Sequence, residues 1–468
     1  RLYDAVAACS EFAIALGINI PTGKDSLSMK QKYADGDVLS PGTVIISAAA
    51  HTDDFTKTID PVFKAGKGSV YYVNLSASNL QLGGSAFAQT RNAIGTTAPD
   101  VADAAYFKSA FTALQEAIRA EAVCAGHDVS GGGLVTTLLE LCFASTNVGA
   151  TIDLTKIDPQ ADFTTKLFAE NTAVVVQATN DTALENILQK HQISFERIGE
   201  VINSESLIIN DLKLDVKSYR KLWNNTSYLF DRLQTANGMA EVRAEQFDKQ
   251  ALKYRFPISY TQASDVKVSN RPKAAVIREQ GSNSEREMAH AMYLAGFDVI
   301  DIHMTDLITG RIDLSDVQFI GAVGGFSNSD VLGSAKGWAG SFKYNEKAQK
   351  ALSDFYARPD TLSVGICNGC QLLMELEVIH PELPVHGKMK HNVSRKHESI
   401  FTSVEILPNN SVMLGNLAGS TLGVWVSHGE GRFELLGDES QYHIVSKYAY
   451  AEYPANPNGS DFNTAMLA

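Results

Sequence analysis

A cysteine between two glycines, at the junction of a strand-like run and a helix-like run, restricts the fold more than any other feature of the sequence. The run TLSVGIC ends at Cys367, and the apolar run QLLMELEVI follows shortly after it. The spacing in GICNG, residues 365–369, is typical of a strand-to-helix elbow, because the glycines allow a sharp turn that side chains would block. We therefore predict that Cys367 is presented at the N-terminus of a helix.

The region after Pro272 alternates between strand-like and helix-like segments. The strand-like segments are AAVIRE, FDVIDI, FIGAVGGF and TLSVGIC, and a helix is predicted from Glu285 to Ala295, where Gly296 ends it. Such alternation predicts an α/β domain with a mostly parallel, doubly wound sheet. Because ligands bind at the C-terminal ends of the strands in such sheets, the site is expected beside Cys367.

The first 210 residues predict further strands and helices around two glycine-rich loops, LQLGGSAFAQT and GHDVSGGGL. The expected elements are strands at TVIISAAA (residues 43–50), Ser69 to Leu75, VVVQ and SLIIN, and helices from Asp103 to Ala120 and from Leu134 to Phe143. The segment from 211 to about 271 has a mixed pattern, and we interpret it as an interdomain linker.

The chemistry expected of Cys367 follows from its predicted position. At a helix N-terminus, the backbone N–H groups and the helix dipole favour the thiolate. The amide of Asn368 can face an oxyanion, and the end of the neighbouring strand, at Gly325 and Phe326, offers a second donor. The pattern thus predicts nucleophilic catalysis through a thioester.

Three other interpretations of Cys367 depend on its spacing from Cys370. The two residues form a CxxC pair, which also occurs in redox sites, in half of a zinc site and among core thiols. The sequence has no second CxxC pair to complete a structural zinc site, and a redox helix would leave Gly365 unexplained. Cys370 is predicted to pack in the core.

A cysteine nucleophile needs a base, and six histidines follow Cys367 in the chain. They are His380, His386, His391, His397, His428 and His443. Spacing alone favours His428, because the run SHGEGR places the carboxylate of Glu430 two residues after the imidazole. The alternative is that this glycine-flanked loop serves a turn or a ligand pocket.

Composition indicates the class of partner. The formal net charge of −13 argues against a large basic surface for nucleic acid or an anionic membrane, so small molecules are the expected partners. No apolar run approaches the ~18 residues that span a bilayer. Five cysteines, a small and odd number, fit a reducing compartment, and a cytoplasmic location is expected. We interpret both ends of the sequence as internal to a longer polypeptide.

A series of motifs, in order along the chain, carries a resemblance to a known family. They are LYDAV, GINIPTGKDSLSMK, LGGSAFAQT, GHDVSGGGL, FAEN, REQGSNSEREMAHAMYLAGFDVIDIHMTDL, GGFSNSDVLGSAKGWAGS, GICNGCQLL, SHGEGRFE and YPANPNGS. Together they resemble the large, single-chain phosphoribosylformylglycinamidine synthases of purine biosynthesis, over essentially the whole chain. The later motifs, from REQGSNSEREM onward, resemble the glutaminase part of that family, a class I glutamine amidotransferase.

The resemblance implies an α+β domain similar to aminoimidazole ribonucleotide synthetase, followed by a doubly wound class I glutamine amidotransferase domain. The expected parts are the remainder of a synthetase-like N-terminal subdomain in residues 1–66, a synthetase-like C-terminal subdomain in 67–210, a linker in 211–270, and a glutaminase truncated at its C-terminus in 271–468. The implied reaction uses ATP, Mg²⁺ and glutamine to convert formylglycinamide ribonucleotide to its amidine, with glutamate, ADP and phosphate as the other products.

The resemblance also implies roles for individual residues. Cys367 matches the nucleophile, Asp128 matches a carboxylate that binds nucleotide-bound Mg²⁺, and Ser130 matches a nucleotide contact. A hard magnesium ion takes carboxylate oxygens, and a glycine-rich loop that opens a helix suits phosphates. The alternative for Asp128 is a turn or helix-capping carboxylate. Lys24 and Asp25 are further candidates for phosphate contacts, with a solvated turn as the equal alternative.

The sequence departs from the family pattern at three places. Gly131 stands where the family loop usually has a second acid, and Asn328-Ser329-Asp330 stands where GGFS is commonly followed by Tyr-Gly-Asp. The catalytic histidine and glutamate of the family lie in a P-H-P-E-R stretch beyond YPANPNGS, which this sequence does not reach. His428 is therefore not carried over as the base.

Three functional interpretations follow. In the first, the chain is an enzyme fragment that is inactive alone and has the missing N-terminal portion of the same polypeptide as its partner. In the second, it is a non-catalytic nucleotide-binding and docking module with a glutaminase-like fold. The third, a related cysteine hydrolase or peptidase on the same elbow, explains nothing of residues 1–210.

Overall fold

The computed structural model describes residues 2–24, 28–249, 253–257 and 269–468. The chain divides into two compact units, Arg1–Asn225 and Thr226–Ala468, and each has its own hydrophobic core. Asp25 and parts of the expected linker lie outside the described residues. Among the described residues, no helix is both long and apolar enough to cross a membrane.

The elements of the first unit are named here in chain order. Its helices are α1 (Leu2–Leu16), α2 (Ala86–Thr90), α3 (Ala104–Arg119), α4 (Gly133–Phe143), α5 (Phe163–Phe168), α6 (Asp181–Lys190) and α7 (Val216–Gln234), the last of which continues past Asn225. Its strands are β1 (Lys30–Tyr33), β2 (Gly36–Leu39), β3 (Ser69–Asn74), β4 (Val123–Val129), β5 (Gly149–Ile152), β6 (Ala173–Ala178), β7 (Phe195–Ile202), β8 (Ser206–Ile209) and β9 (Leu212–Asp215).

A seven-stranded sheet with the order β4-β6-β3-β7-β5-β8-β9 forms the centre of this unit. Strand β3 is buried on both faces: Val70 and Tyr72 belong to the core cluster beneath α4, whereas Tyr71 and Val73 belong to the cluster beneath α3 and α6. Successive strand residues point to opposite faces, so this apolar run supports helices on both sides of the sheet. Most predicted elements of residues 67–210 occur nearly at their expected bounds.

The strand expected at residues 43–50 is absent, and that prediction was wrong. All side chains of this run are exposed, and no helix or strand includes it. A β-branched run forms a strand only where a neighbouring strand accepts its hydrogen bonds and one face is buried. In the described part of the unit, residues 43–50 have neither.

The elements of the second unit continue the numbering. Its helices are α8 (Met239–Glu245), α9 (Glu285–Leu294), α10 (Met304–Thr309), α11 (Lys336–Lys343), α12 (Glu346–Tyr356) and α13 (Asn368–Glu375), with 3₁₀ turns at Ser327–Asp330, Gly415–Leu417, Glu439–Gln441 and Asp461–Asn463. Its strands are β10 (Lys273–Arg278), β11 (Ser282–Asn283), β12 (Asp298–His303), β13 (Phe319–Ala322), β14 (Gly324–Gly325), β15 (Leu362–Gly365), β16 (Lys388–Lys390), β17 (Glu398–Ile406), β18 (Thr421–His428), β19 (Arg432–Glu434), β20 (Ile444–Tyr448) and β21 (Thr464–Leu467).

The predicted parallel sheet is present, with the order β12-β10-β13-β15 and every pair parallel. The chain moves from β10 to one side at β12 and to the other side at β13. This reversal is the mark of a doubly wound sheet, and ligands bind at such a switch point. The C-terminal ends of β13 and β15 lead directly to Gly324 and Cys367, so the fold brings both to one edge.

An antiparallel sheet with the order β18-β17-β20-β21 follows the parallel one in the chain. Strands β17 and β18 run side by side from Glu405 opposite Thr421 to Glu398 opposite His428. The loop that follows β18 therefore begins at His428. Sequence periodicity did not predict this sheet.

Candidate active site

The predicted strand-to-helix elbow is present at Cys367. The residue lies between β15 and α13 with φ 56° and ψ −113°, a backbone conformation that is unfavourable for any residue other than glycine. Both flanking glycines are required by close backbone contacts. A Cβ on Gly365 would lie 2.4 Å from the Gly369 carbonyl oxygen, and a Cβ on Gly369 would lie 2.0 Å from the Ala322 carbonyl oxygen.

Burial and hydrogen bonding act in opposite directions on the pKa of the Cys367 thiol. Burial raises its pKa, and this effect outweighs the hydrogen bonds from the backbone amides of Asn368 and Gly325, which lower it. The thiol donates a weak hydrogen bond to the Ser427 carbonyl oxygen, with a sulfur-to-oxygen distance of 3.9 Å. The backbone amides therefore favour the thiolate, as expected of this position, but desolvation of the charged sulfur outweighs them in the free protein.

Two backbone amides converge on the sulfur from different elements, that of Asn368 at the start of α13 and that of Gly325 in β14. Gly325 has φ 104°, and a Cβ there would lie 2.6 Å from the Asn283 amide nitrogen, so the position requires glycine. The Phe326 amide, expected as a further oxyanion donor, instead donates to the Gly281 carbonyl oxygen at 2.9 Å. The geometry thus favours Asn368 and Gly325 as the pair of donors.

A chain of side-chain hydrogen bonds supports the elbow. The buried Asn368 side chain accepts from the Ser327 amide at 3.1 Å and donates to Gln371 Oε1 at 2.7 Å. Gln371 Nε2 in turn donates to the Glu430 carbonyl oxygen at 2.8 Å. The nucleophile helix is therefore tied both to the loop after β14 and to the loop after β18, a connection that sequence spacing did not reveal.

Two carboxylates lie beside this chain of hydrogen bonds. Burial raises the pKa of Asp330, whose Oδ1 accepts from the Ala335 amide at 3.0 Å. The Glu430 carboxylate accepts from Ser334 Oγ at 2.6 Å and lies 3.4 Å from His391 Nδ1. Asp330 belongs to the triplet Asn328-Ser329-Asp330, which replaces the usual family residues, and all three have positive φ.

A cavity of about 660 Å³ opens over Cys367. It is lined by Asn283, Ser284, Glu287, Met288, Ala291, Val323, Gly324, Gly325, Phe326, Asp330, Ile366, Cys367, Gln371, His391, His397, Ser427, His428, Gly429 and Glu430. Of the six candidate histidines, His391, His397 and His428 lie on this lining. The volume and the mixed lining are suited to a small polar molecule.

The geometry argues against His428 as a base. Burial lowers its pKa to about 4, so the imidazole is a weak proton acceptor at neutral pH. Its ring lies against Gly431, and its Nδ1 is buried with no hydrogen-bond partner among the described residues. The pairing with Glu430 that spacing suggested is absent, because the carboxylate faces Ser334 and His391 instead.

Cys370 has the surroundings of a core thiol. Burial raises its pKa to about 12, and the side chain packs against the cluster that contains Met374, Met389 and Phe433. The cysteines in the described part of the chain are all free. The CxxC spacing therefore forms no disulfide here.

In the first unit, Asp128 lies near the end of β4 and its side chain is 70% exposed. His127 is placed between two carboxylates: its Nδ1 is 3.2 Å from Asp128 Oδ1, and its Nε2 is 3.1 Å from Glu140 Oε2. Ser130 follows in the exposed loop. Lys24 is exposed and lies outside the described helices and strands, and no described ion pair or hydrogen bond joins it to Asp128 or Ser130.

The glycine-rich loop after β4 is internally bonded. The Gly132 amide donates to Glu170 Oε1 at 2.8 Å, and the Gly133 amide donates to the Ser130 carbonyl oxygen at 2.9 Å. These two amides are thus engaged within the protein.

Beside its glycine-rich loop, the first unit offers Mg²⁺ the exposed carboxylate of Asp128, and the remaining ligands would be waters and phosphate oxygens. Among the described residues, no group of three or more side chains could enclose a metal ion. Mg²⁺ usually keeps several waters and binds through one or two carboxylates together with phosphate oxygens. An exposed carboxylate such as Asp128 meets that requirement.

Three family models match the chain. Residues 271–468 match the CobB/CobQ-like glutamine amidotransferase domain, residues 68–211 match the C-terminal domain of AIR synthase related proteins, and residues 1–51 match the FGAR-AT PurM_N-like domain. The predicted fold class, an AIR synthase-like domain followed by a glutamine amidotransferase domain, is confirmed.

Two curated relatives match over the full length of the chain. It is 40% identical to a probable phosphoribosylformylglycinamidine synthase, chloroplastic/mitochondrial, of Arabidopsis thaliana and 35% identical to the phosphoribosylformylglycinamidine synthase of Homo sapiens. It spans 35% and 38% of their respective lengths. The predicted resemblance to this family is confirmed.

Solved structures overlap with the chain only in part. PurLQS of Thermotoga maritima is 26% identical, with a TM-score of 0.34 over 42% of this chain and 82% of that chain. PurL of the same organism, complexed with ATP, is 16% identical, with a TM-score of 0.32 over 45% of this chain and 34% of that chain. The relationship therefore depends on the sequence matches.

Proposed function

We propose that this chain supplies the glutaminase nucleophile and part of the nucleotide-binding half of a phosphoribosylformylglycinamidine synthase. The reaction converts formylglycinamide ribonucleotide, glutamine and ATP to formylglycinamidine ribonucleotide, glutamate, ADP and phosphate. Within it, residues 271–468 act as the glutaminase, residues 67–210 as a synthetase-like subdomain, residues 1–66 as part of a second subdomain, and 211–270 as the linker. The single observation that carries the proposal is the strained Cys367 elbow between two converging amides.

The glutaminase step follows from the geometry of the elbow. Cys367 Sγ, once deprotonated, attacks the side-chain amide carbon of glutamine, and the amides of Gly325 and Asn368 donate to the oxygen that gains negative charge. The carbon–nitrogen bond then breaks and ammonia leaves with an added proton. Water hydrolyses the thioester to glutamate and restores the thiol. We assign the proton transfers to a residue other than His428, whose low pKa makes it a poor base.

The nucleotide half uses the exposed end of β4. Asp128 would hold Mg²⁺ through a carboxylate oxygen, and Ser130, in the adjacent loop, would contact the nucleotide. A bound Mg²⁺ neutralises charge on the phosphates. Lys24 is retained as a candidate phosphate contact because it is an exposed cation without a described ion pair.

The proposal also covers location and partners. We place the reaction in the cytoplasm, although the name of the plant relative assigns that protein to chloroplasts or mitochondria. The partners are the three small substrates and the remaining portion of a polypeptide as long as the relatives. Neither nucleic acid nor a membrane takes part.

The experiment is a pair of substitutions in the complete enzyme. Cys367→Ala should abolish glutamine-dependent synthesis and leave synthesis with free ammonia intact, because the thiol only releases ammonia. Cys370→Ala is the matched control, with a mild effect on both. If the Cys370 variant loses glutaminase activity while the Cys367 variant keeps it, the proposal fails. A docking module without catalysis would respond to neither change.

A further inference from the structure

The carboxylate of Glu170, in the FAEN motif, joins two glycine-rich segments of the first unit. Its Oε1 accepts a hydrogen bond from the Gly132 amide at 2.8 Å and another from the Ala86 amide at 2.8 Å. Gly132 belongs to the loop GHDVSGGGL, and Ala86 belongs to LGGSAFAQT. A single oxygen atom therefore connects two loops that are far apart in the sequence.

The next residue strengthens this connection. Asn171 is fully buried; its Oδ1 accepts from the Gln81 amide at 2.9 Å, and its Nδ2 donates to the Asn79 carbonyl oxygen at 3.0 Å. Glu170 and Asn171 together hold the segment from Asn79 to Ala86. Backbone groups of this segment have fixed partners as a result, although it contains no strand.

The residues before Glu170 lie directly against the other loop. A Cβ on Gly133 would be 2.7 Å from the Leu167 carbonyl oxygen, so the backbone at the end of α5 touches the loop with no room for a side chain. Asp128 and Ser130 lie just before Gly132 in the chain. Asp128 is itself held on β4 opposite Val174 of β6, so the contact that Glu170 makes acts on the loop that follows, which contains Ser130.

We propose that Glu170 is a positioning residue that fixes the glycine-rich loop and thereby places Ser130 beside Asp128 for a magnesium-bound nucleoside diphosphate. This inference rests on the proposed nucleotide-binding function. Glycine-rich segments have many accessible backbone conformations, and hydrogen bonds from two amides to one carboxylate oxygen select one of them. Glu170 acts on the loop and does not touch the nucleotide.

Two substitutions of Glu170 distinguish the effect of its hydrogen bonds on the loop from the effect of its negative charge. Glu170→Gln keeps an oxygen that can accept both amides, and it removes a negative charge near the phosphates, so nucleotide affinity should be equal or higher. Glu170→Ala removes the acceptor, so the amides of Gly132 and Ala86 lose this hydrogen bond. Affinity should then fall about tenfold or more, because two amides of the nucleotide-binding segments lose their common acceptor.

The experiment uses the full chain and two measurements. Hydrogen exchange is followed at the amides of Gly132 and Ala86, and the Kd of ADP with Mg²⁺ is measured by calorimetry. The matched control is Glu185→Ala, because Glu185 is a carboxylate on α6 of the same unit and accepts a 2.7 Å hydrogen bond from the Tyr71 hydroxyl on β3, away from both glycine-rich loops.

The expected result is faster exchange at both amides and weaker ADP binding in Glu170→Ala, with neither change in Glu170→Gln or Glu185→Ala. Unchanged exchange and an unchanged Kd in Glu170→Ala would overturn the inference. Weakened binding in Glu170→Gln would overturn it as well, and this outcome remains informative if the alanine variant fails to fold. If the unmodified chain binds no ADP, the proposed nucleotide site itself fails, and with it the placement of Asp128.

Discussion

Gly369, in the first turn of α13, lies against the carbonyl group of Ala322 at the end of β13, so closely that a Cβ on Gly369 would be 2.0 Å from that oxygen. This contact holds the start of the nucleophile helix at the edge where Gly324 and Gly325 follow. It explains why the cysteine and the oxyanion donors, which come from different strands, reach the same point. The second glycine of GICNG is thus required by tertiary contact as well as by the turn.

Gly369→Ala should destabilise the second unit by about 1–3 kcal/mol, because the added methyl group forces α13 away from β13. Chemical denaturation measures the loss. Gly429→Ala is the matched control, since a Cβ at that position has no atom within 4 Å. Equal free energies of unfolding for the two variants would show that the Gly369 contact is not tight.

The reactivity of Cys367 should rise steeply with pH. Burial raises its pKa, so the thiolate fraction at neutral pH is below that of a free cysteine, whose pKa is about 8.5. As long as the pH is below the pKa, raising the pH by one unit should increase the rate of alkylation by iodoacetamide about tenfold. The measurement is the rate at Cys367 from pH 6 to 10. A plateau reached below about pH 8.5 would mean that the helix N-terminus dominates over burial.

His428→Ala should leave glutamine hydrolysis by the complete enzyme within about threefold of its normal rate. A histidine with a pKa of about 4 contributes little as a base, whereas loss of a true general base typically lowers the rate by about a hundredfold to ten-thousandfold. Steady-state glutamate release is the measurement. If glutamate release falls by about a hundredfold or more in His428→Ala, His428 is the base and the prediction is contradicted.

Asp128→Asn should weaken the binding of ADP in the presence of Mg²⁺ by about tenfold or more, because an amide oxygen is a poorer ligand for a hard cation than a carboxylate. Calorimetry with and without Mg²⁺ separates metal binding from general damage to the loop. Asp153→Asn serves as the control, since Asp153 is an exposed carboxylate of the same unit. An unchanged affinity in Asp128→Asn would remove Asp128 from the metal site.

The parts of the site that depend on local chain geometry could be predicted from the sequence. The spacing GICNG specifies an elbow because each glycine meets a backbone atom within a few residues or at the adjacent strand. The parallel, doubly wound character of the sheet follows from the regular alternation after Pro272. In the same way, the helices that flank the seven-stranded sheet follow from their apolar periodicity.

The parts of the fold and of the site that depend on contacts between distant segments could not be predicted from the sequence. The apolar run at residues 43–50 has strand propensity, but no neighbour supplies a partner. The raised pKa of Cys367 comes from burial by surrounding elements, and no local pattern encodes that burial. Spacing paired His428 with Glu430, whereas the folded loop turns the carboxylate toward His391 and Ser334.

The role of Glu170 illustrates the same limit. FAEN was recognised as a motif, but its function as an acceptor for Gly132 and Ala86 emerges only when three segments of the chain come together. A glutamate followed by an asparagine at the end of a short helix gives no indication of such a contact.

The most direct test of the glutaminase assignment is labelling of the full chain with a glutamine-like diazoketone or chloroketone, followed by peptide mass spectrometry. We predict that the reagent modifies Cys367 selectively, that excess glutamine slows the reaction, and that Cys370 remains unmodified. Labelling of Cys370 in place of Cys367, or labelling of several cysteines that glutamine does not slow, would contradict the assignment of Cys367 as the nucleophile.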